Sequence, residues 1–585
     1  MDSVLTTDNI NSMISSYVSN ETNRLISPVQ TKTKWYQSLS TAYGTLSSKL
    51  LTLKTLLSDF NQTGNDSIFR VKTAASSNSD FVSASATGIA AAGAYNLSVS
   101  QLAKNDLLVS QEFDSAAANG ITGTHTFSIK TGDGEGGEFT SNIDVTFSDS
   151  ETNQSVMQKI RDAINSDQAT VNSDVKSASA SYTGGTATFN INVNGTEESV
   201  TVNGGGTYSD LLDEAVANIN SNVSGVTAEK VIDPNNPDNV SLKITGKDSS
   251  KYISISQESG FDIVSDLNIA VTNEKGASGI VIASAFSPSS GKTQFSLSSK
   301  NTGLDFRITD LSDDGSSTGL SAIGLNLGTD RPSFDQATNP DTPGYLYADI
   351  SDNTLLNSRF TFNGLNIQRN SNVIDDIAEG VTFTLNSVMQ STDPAVNISV
   401  ATDSASIRSK IEDFISKFND VYTYIKSQST FGSDNRGVFA GDSNASSLTT
   451  MLGSITYSAV PGISSGDLKM LSQLGIAFNS STGLSITDSS KLDDAITNNT
   501  SQVESLFNSS NGISNSLFNK IDPYLGAGGY LAQGQSRFDD TVSSLNDKNT
   551  AYQNRINKSA DILRNRYEQL QAQLAALITV QNMFS

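Results

Sequence analysis

The sequence predicts a multi-domain α+β protein, in which α-helical coiled-coil legs from both chain ends flank inserted β-rich domains. Three patterns predict this fold class. Apolar residues near both ends of the 585-residue chain recur at steps of three and four, those in the middle alternate with polar residues, and a ββα pattern occurs twice. We divide the chain into a terminal coiled-coil leg (1–40 and 550–585), a helical bundle (41–78 and 400–549), a β-rich body (79–120 and 270–399) and inserted head modules (121–269).

The first 60 residues predict helix, with a break near Pro28. Beyond this proline, an apolar or aromatic residue follows at every third or fourth position for more than three heptads, which is typical of a coiled coil. Upstream, polar residues enter the pattern, and we expect the extreme N-terminus to be loosely ordered on its own. The N-terminal part of the predicted seam consists of Tyr36, Leu39, Tyr43, Leu46, Leu50, Leu53, Leu57 and Phe60.

The C-terminal segment has the same pattern from Phe538 onwards, with one extra residue between Ile556 and Ala560. A third helix is predicted over 407–425, with Asp403 or Ser404 as its cap. The C-terminal part of the predicted assembly seam consists of Ile556, Leu563, Tyr567, Leu570, Leu574 and Leu577.

The last three of these leucines form a stripe without a local partner, and exposing such a stripe to water is costly. A second helix, a second copy of the protein or a membrane surface could cover it. The opposite face of the segment is rich in Gln and poor in Lys and Arg, which disfavours a membrane. A helix is therefore the expected partner, and the segment from Tyr36 to Phe60 is the nearest match in kind. An intramolecular hairpin without an assembly role stays open beside assembly.

The middle of the chain predicts strands, among them 93–103, 359–367 and 380–388. Two stretches in this region resemble one another, because each predicts two strands and a helix that closes in Ile-Asn-Ser, at Ile164 and at Ile219. We expect the two ββα copies to form paired small modules that project from the body.

The composition excludes several classes of protein. With 37 Lys and Arg against 61 Asp and Glu, the formal net charge of -24 disfavours binding to nucleic acid and to anionic membranes. No run of 18 apolar residues predicts a membrane span, and the N-terminus lacks the layout of a secretory signal peptide. The chain has no cysteine, which excludes disulfides and cysteine chemistry.

Short motifs that could carry chemistry fail in their context. The stretch GDGEGG at 132–137 has the spacing of a dinucleotide loop, but its acidic residues would repel a pyrophosphate, and a hairpin turn is favoured. SGKT at 290–293 lacks the first glycine of a phosphate loop, and DLSDDG at 310–315 lacks the closing glutamate of a calcium loop. We expect His125 and Trp35 to be structural. The sequence therefore predicts no catalytic, cofactor or metal site and no enzyme activity.

Four blocks of the sequence resemble one bacterial family. They are AYGTLSSKLLTLKTLLSDF (42–60), GAYNLSVSQLAKNDLLVSQEF (93–113), FTFNGLNIQRNSNVIDDIAEGVTFTL (360–385) and LSQLGIAFNSSTGLSITDSSKLDDAITNNTSQVESLF (471–507). Together with the terminal heptads, they are similar to the bacterial flagellar filament cap proteins, also called the flagellar hook-associated protein 2 family. The two ββα copies resemble an insertion motif of flagellin and hook proteins.

This resemblance implies a structural protein that caps the distal tip of the growing filament, retains exported flagellin there and promotes its folding and polymerisation. It also implies a secreted, extracellular protein that leaves the cell through the flagellar type III export machinery with an export chaperone. The implied partners are further copies in a ring-shaped homo-oligomer, expected to be a pentamer, together with flagellin and the proteins of the hook-filament junction. We expect no cofactor, no nucleic acid and no membrane insertion.

Two other functions stay open on the sequence alone. The ββα modules could make the protein an adhesin for host mucin or glycans, a role that is compatible with capping. An acidic glycoside hydrolase is the third hypothesis. Adjacent acids such as Asp375 and Asp376 do not support it, because such pairs arise by chance in so acidic a chain and point apart on a strand or helix.

Overall fold

A computed structural model describes residues 6–347, 355–432 and 436–584. It combines helices and strands, with long helices near both chain ends, so the predicted fold class is confirmed. The helices are α1 (Thr7–Glu21), α2 (Ser27–Phe60), α3 (Asn153–Ser166), α4 (Tyr208–Asn222), α5 (Ile263–Leu267), α6 (Ala277–Ile280), α7 (Ser404–Gln428), α8 (Ser443–Tyr457), α9 (Ser489–Asn498), α10 (Thr500–Asn508), α11 (Ile513–Ile521) and α12 (Tyr530–Phe584).

The strands belong to several sheets, most of them antiparallel. They are β1 (Lys72–Ser76), β2 (Val82–Ala86), β3 (Gly93–Gln101), β4 (Asn105–Val109), β5 (Phe113–Asp114), β6 (Gly123–Gly132), β7 (Glu138–Phe147), β8 (Thr170–Asn172), β9 (Lys176–Ser177), β10 (Ala187–Val193), β11 (Thr196–Val202), β12 (Val226–Asp233), β13 (Asn236–Gly246), β14 (Tyr252–Gly260), β15 (Val271–Lys275), β16 (Val281–Phe286), β17 (Lys292–Thr302), β18 (Ile308–Asp313), β19 (Gly344–Tyr345), β20 (Ser358–Phe362), β21 (Leu365–Arg369), β22 (Val373–Ile374), β23 (Val381–Leu385), β24 (Val396–Thr402), β25 (Ile476–Asn479) and β26 (Gly483–Ile486).

Two of the predicted strands are present, and the third is wrong. The predictions at 93–103 and 380–388 correspond to β3 and β23. The predicted strand at 359–367 is instead a hairpin of β20 and β21. Asn363 and Gly364 form its turn with φ angles of 50° and 85°, a left-handed pair that suits a two-residue hairpin.

The chain forms two compact units. The helical unit consists of Met1–Thr73, Ala86–Ala92 and Val400–Ser585, and the β-rich unit consists of Ala74–Ser85 and Gly93–Ser399. The finer division into leg, bundle, body and head stays a prediction.

Helices α2 and α7 to α11 share one apolar core of the helical unit with the start of α12. Asp403 is the N-cap of α7, and its carboxylate accepts from the Ser406 amide at 2.9 Å, as the sequence predicts. The predicted break near Pro28 is absent. A π-helical turn at Thr22–Ile26 joins α1 to α2 just before Pro28, so the helix continues through this position.

The two predicted ββα copies are present in the β-rich unit, and each is extended by a further hairpin. Module 1 consists of β6, β7, α3, β16 and β17, and module 2 consists of β10, β11, α4, β12 and β13. Each helix follows a threonine N-cap, Thr152 or Thr207, and buries Ile164 or Ile219 at the same distance along the helix. The shared cap and the shared buried residue fix each helix in the same way.

One asparagine in each module fastens its helix to an edge strand. Asn165, next to Ile164, donates from Nδ2 to the Ala283 carbonyl at 2.8 Å and accepts from the Ala283 amide at 2.9 Å. Asn220 makes the same two bonds to Ala228, at 2.9 and 2.8 Å. Strands β16 and β12 lie at the edges of their sheets, so a side chain occupies backbone groups that another strand could otherwise bind. We call each of these contacts an asparagine clamp.

Module 2 is inserted into module 1. In module 2 a short link joins α4 to β12, whereas in module 1 the whole of 167–280 separates α3 from β16. Strands β16 and β17 therefore lie outside 121–269, the range predicted for both copies. One seven-stranded sheet, in the order β11-β10-β14-β15-β7-β6-β18, runs through both modules, while each module keeps its own apolar core.

Candidate assembly surface

The N-terminal part of the predicted seam lies in the interior of the helical unit. All of it except Tyr36 is at most 7% exposed, and Tyr36 packs partly buried against the same core. Helix α2 contacts α7, α11 and α12 there. The heptad pattern of this segment is therefore satisfied within one chain, and its part in assembly stays a prediction. The buried residues are Leu39, Tyr43, Leu46, Leu50, Leu53, Leu57 and Phe60.

Aromatic side chains fix the start of α12 on α2. The rings of Tyr36 and Tyr43 lie 6.1 and 5.0 Å from the ring of Phe538, centroid to centroid. The Tyr43 hydroxyl donates to Asp442 at 2.6 Å, and burial raises the pKa of Tyr43. Gly534 permits the close approach, because a Cβ at this position would lie 2.4 Å from the Tyr43 ring. This end of α12 is thus held firmly within the helical unit.

Further along, α12 packs against α1. Ile10 and Ile14 are buried together with Ala560, and Leu563 and Tyr567 pack partly buried against this cluster. Helix α1 covers the seam from Ala560 to Tyr567. The segment from Tyr36 to Phe60, which the sequence suggests as the nearest match for the stripe past Arg566, stays a prediction. The extreme N-terminus, which we expect to be loosely ordered on its own, lies in part outside the described residues.

The irregularity in the α12 pattern has a counterpart in the opposite helices. Helices α1 and α2 run along α12 in the reverse direction, as the contacts of Tyr43 with Phe538 and of Ile14 with Ala560 require. The π-helical turn between α1 and α2 also contacts α12. A π turn adds one residue to a helix, as the extra residue between Ile556 and Ala560 adds one to the heptad pattern of α12.

The last turns of α12 present apolar side chains without a cover among the described residues. Helix α1 begins at Thr7, opposite the part of α12 that ends near Tyr567. Past that point Leu570, Leu574 and Leu577 are 46%, 40% and 64% exposed. Ile578, Val580 and Met583 beside them are exposed as well. We call Leu570, Leu574, Leu577, Ile578 and Val580 the leucine stripe; it continues a seam whose first part is buried, and no described residue covers it.

Positive charge lies next to the leucine stripe. Between Lys548 and Arg566, α12 carries five basic residues and a single acidic one, Asp561, in a chain whose net charge is -24. Arg564 donates to Asn11 of α1 at 2.7 Å, while Lys548 and Arg566 are exposed. A partner of this surface is therefore favoured by apolar contact and by negative charge, and the second contribution weakens with salt.

The motif at 132–137 is a hairpin turn, as predicted. It joins β6 to β7, and the Asp133 carboxylate accepts from the amides of Glu135 and Gly137 at 2.8 and 2.9 Å. SGKT leads into β17 through Gly291, whose φ is 80°. In DLSDDG, the Asp310 carboxylate pairs with Lys130, with Oδ2 3.6 Å from Nζ.

His125 and Trp35 have structural surroundings. The Thr318 amide donates to His125 Nδ1 at 3.0 Å, so Nε2 carries the proton and donates to the Thr122 carbonyl at 3.0 Å. Trp35 packs partly buried on the helical core, with the Arg436 guanidinium 5.7 Å from its ring centre. Across 6–347, 355–432 and 436–584, no three His, Cys, Asp or Glu side chains gather as metal ligands. In the same ranges, every helix is too short or too polar to span a membrane.

Comparison with known families gives two matches that together cover more than half of the chain. Residues 7–106 match the family model described as flagellar hook-associated protein 2 N-terminus. Residues 356–577 match the model described as flagellar hook-associated protein 2 C-terminus. The region between them, with both modules, lies outside the two models.

Individual relatives are distant and have the same family name. The B-type flagellar hook-associated protein 2 of Pseudomonas aeruginosa is 25% identical over 361 residues, which is 60% of this chain and 72% of the relative. The A-type protein of Pseudomonas aeruginosa is 30% identical over 207 residues, 34% of this chain and only 42% of that relative's length.

A solved structure has the same fold. The D1-D2-D3 domains of the flagellar cap protein FliD from Escherichia coli align with a TM-score of 0.51 at 20% identity, over 85% of this chain and 99% of the solved chain. Similarity at this level supports the fold, while the matches at both chain ends identify the family. The chain belongs to the flagellar hook-associated protein 2 family.

Proposed function

We propose that this protein caps the distal end of the growing flagellar filament, retains exported flagellin there and promotes its folding and polymerisation. Filament elongation and motility then depend on it. Membership of the family supports capping. The observation that carries the rest of the proposal is the leucine stripe, because it extends the α1–α12 coiled coil past the described start of α1, and an exposed apolar stripe favours helical partners from other molecules.

The leucine stripe docks onto helical segments of the subunits at the filament end, which are flagellin or the proteins of the hook-filament junction. Each contact covers a few leucines, and one buried leucine contributes about 1.5 to 3 kcal/mol. Such a contact can open and form again as subunits are added beneath the cap. Several stripes in one ring act together, so the cap stays on the filament while single contacts exchange.

The acting form is a ring-shaped homo-oligomer, expected to be a pentamer, in the extracellular space at the filament tip. Export follows the flagellar type III route with an export chaperone. The absence of cysteine supports this route, because a chain without disulfides can pass unfolded and fold outside the cell. Adhesion to host mucin or glycans stays a prediction from the sequence alone, and no feature of the modules favours it over capping.

Complementation of a strain that lacks the gene tests the proposal. Leu574→Asp places a charge in the leucine stripe, and we expect short or absent filaments, loss of swimming and flagellin monomers in the medium. Ala572→Asp is the matched control, because it adds the same charge at an exposed position on the opposite face of α12. It should leave filament length unchanged. Normal filaments from an exported Leu574→Asp protein, or equal defects from both variants, would contradict the proposal.

A further inference from the structure

The junction between module 1 and module 2 is narrow. The chain enters module 2 after α3 and returns through β15 and α6. The entering segment and the returning segment are in close contact. A Cβ at Gly276 would lie 2.6 Å from the Gln168 Cα, so this position requires glycine. Asp167 accepts from the Ala277 amide at 2.7 Å, and the Ser278 hydroxyl donates to the Asp167 carbonyl at 2.6 Å. Entry and exit are therefore tied to each other at one point.

The sheet crosses this junction at a single pair of residues. Strand β15 belongs to the module 2 side through its pairing with β14 and meets β7 of module 1 in parallel, at Glu274 opposite Thr140. The Glu274 side chain closes the contact, since Oε1 accepts from the Asn142 amide at 3.3 Å and Oε2 from Asn142 Nδ2 at 3.1 Å. Ser141 of the same strand donates to the Lys275 carbonyl. Few bonds therefore hold β15 on β7.

Glu274 is an unusual residue for such a place. It is only 3% exposed, and the side chains that act on its ionisation are Asn142 and Asp167, neither of which is a cation. Burying a carboxylate without a cation is costly and favours the protonated acid, while the two donors of Asn142 act in the opposite direction. Burial, and second the charge of Asp167, raise the pKa of Glu274 to about 8. Burial likewise raises the pKa of Asp167 to about 6.

We propose that Glu274 is a proton-controlled latch that holds module 2 on module 1 when protonated and releases it when ionised. The closed junction keeps the proton, whereas an opened junction exposes Glu274 to water, where a carboxyl ionises near pH 4.3. Closure is therefore strongest below this value, and it weakens as the pH rises towards 8. Because opening releases one proton, the equilibrium constant for opening the junction rises by up to about tenfold per pH unit between about pH 4.3 and pH 8.

The charged groups around the latch come from every element that packs there, and they do not neutralise it. Lys275 follows Glu274 in β15, but its Nζ lies 4.2 Å from the centre of the Phe139 ring, and burial lowers its pKa. Asp144 of β7 acts on Asp167 and raises its pKa further. The remaining groups are Lys300 of β17 and Asp248 of the β13–β14 turn, which act on Lys275, and Lys130 of β6, which pairs with Asp310.

Hydrogen exchange of the full-length protein tests the latch. Protection factors of the Asn142 and Ala277 amides are measured by mass spectrometry from pH 6 to pH 8, with the intrinsic pH dependence of exchange divided out. We expect protection in peptides with these amides to fall by up to about 100-fold in the wild type. Peptides from β10 and β11, in the core of module 2, should keep their protection. An equal fall in those peptides would mean general unfolding and overturn the proposal.

Variants assign the effect to one carboxyl. Glu274→Gln removes the ionisable group and keeps an acceptor for Asn142. In this variant the protection of the Asn142 and Ala277 amides should therefore be constant from pH 6 to pH 8. Glu258→Gln, on the exposed part of β14, is the matched control and should behave as the wild type. A wild-type pH dependence that persists in Glu274→Gln, or vanishes only in Asp167→Asn, would overturn the assignment. If Glu274→Gln fails to fold, the wild-type profile still decides, because a flat profile contradicts the latch.

Discussion

Replacing Asn220 by alanine should loosen strand β12 and leave the rest of module 2 folded. The substitution removes both bonds of the asparagine clamp, and the amide and carbonyl of Ala228, which is 7% exposed, lose their partners. A buried polar group without a partner costs about 1 to 3 kcal/mol. Water reaches the rim of an edge strand, so we take the lower half of this range and expect about 2 to 4 kcal/mol for the two groups.

Hydrogen exchange of peptides from β12 measures this loss in the full-length protein. Since 1.4 kcal/mol corresponds to a factor of ten, exchange of β12 amides should become about 30- to 1,000-fold faster. Asn165→Ala should have the same effect on β16 and spare β12, because its clamp holds Ala283 instead.

Asn222→Ala is the matched control, since Asn222 lies near Asn220 at the exposed end of α4. Its exchange should equal that of the wild type. Unchanged exchange of β12 in Asn220→Ala would refute the idea that the clamp closes this edge. Faster exchange of β12 in Asn222→Ala would refute it too, since the effect would then belong to helix stability.

Two further predictions concern packing and acid stability. Gly534→Ala should lower the melting temperature of the helical unit, because the new methyl group lies 2.4 Å from the Tyr43 ring and overpacking costs about 1 to 3 kcal/mol. In Gly44→Ala the new methyl group has its nearest neighbour 3.5 Å away, so this variant should raise the melting temperature through helix propensity. Calorimetry measures both shifts, and shifts of the same sign would contradict the prediction. A hydrogen bond from Lys159 lowers the pKa of Glu151 to about 2, so its stabilisation of α3 is present above the ordinary carboxyl pKa and is lost as the pH falls towards 2. Hydrogen exchange of the first turn of α3 should show this loss in the wild type, and Glu151→Gln should be insensitive to acid over the same range.

The periodic parts of the fold could be predicted from the sequence. Heptad spacing predicts α2, α7 and α12, because one buried face repeats at a fixed step whatever partner covers it. The partner itself depends on tertiary packing, which is why the sequence did not assign α1 to the far part of α12. The hairpin at Asn363 and Gly364 was missed since alternation continues on both sides of its two-residue turn.

The nested arrangement of the modules is the least visible feature in the sequence. Similarity between the two ββα copies reveals the duplication, but not that the last hairpin of module 1 follows the whole of module 2. The Ile-Asn-Ser motif carried a further signal, because its asparagine forms the clamp in both copies. Of the predicted seam, the burial of 36–60 and the exposure of Leu570, Leu574 and Leu577 follow from where α1 and α2 begin and end.

Photo-crosslinking from position 574 in assembled flagella tests the docking of the leucine stripe most directly. A photoreactive phenylalanine replaces Leu574 in one strain and Ala572, on the opposite face of α12, in another. We expect adducts with flagellin or a hook-filament junction protein from position 574 and none from position 572. The same adducts from both positions, or no adduct with a filament subunit from position 574, would contradict the proposed role of the leucine stripe.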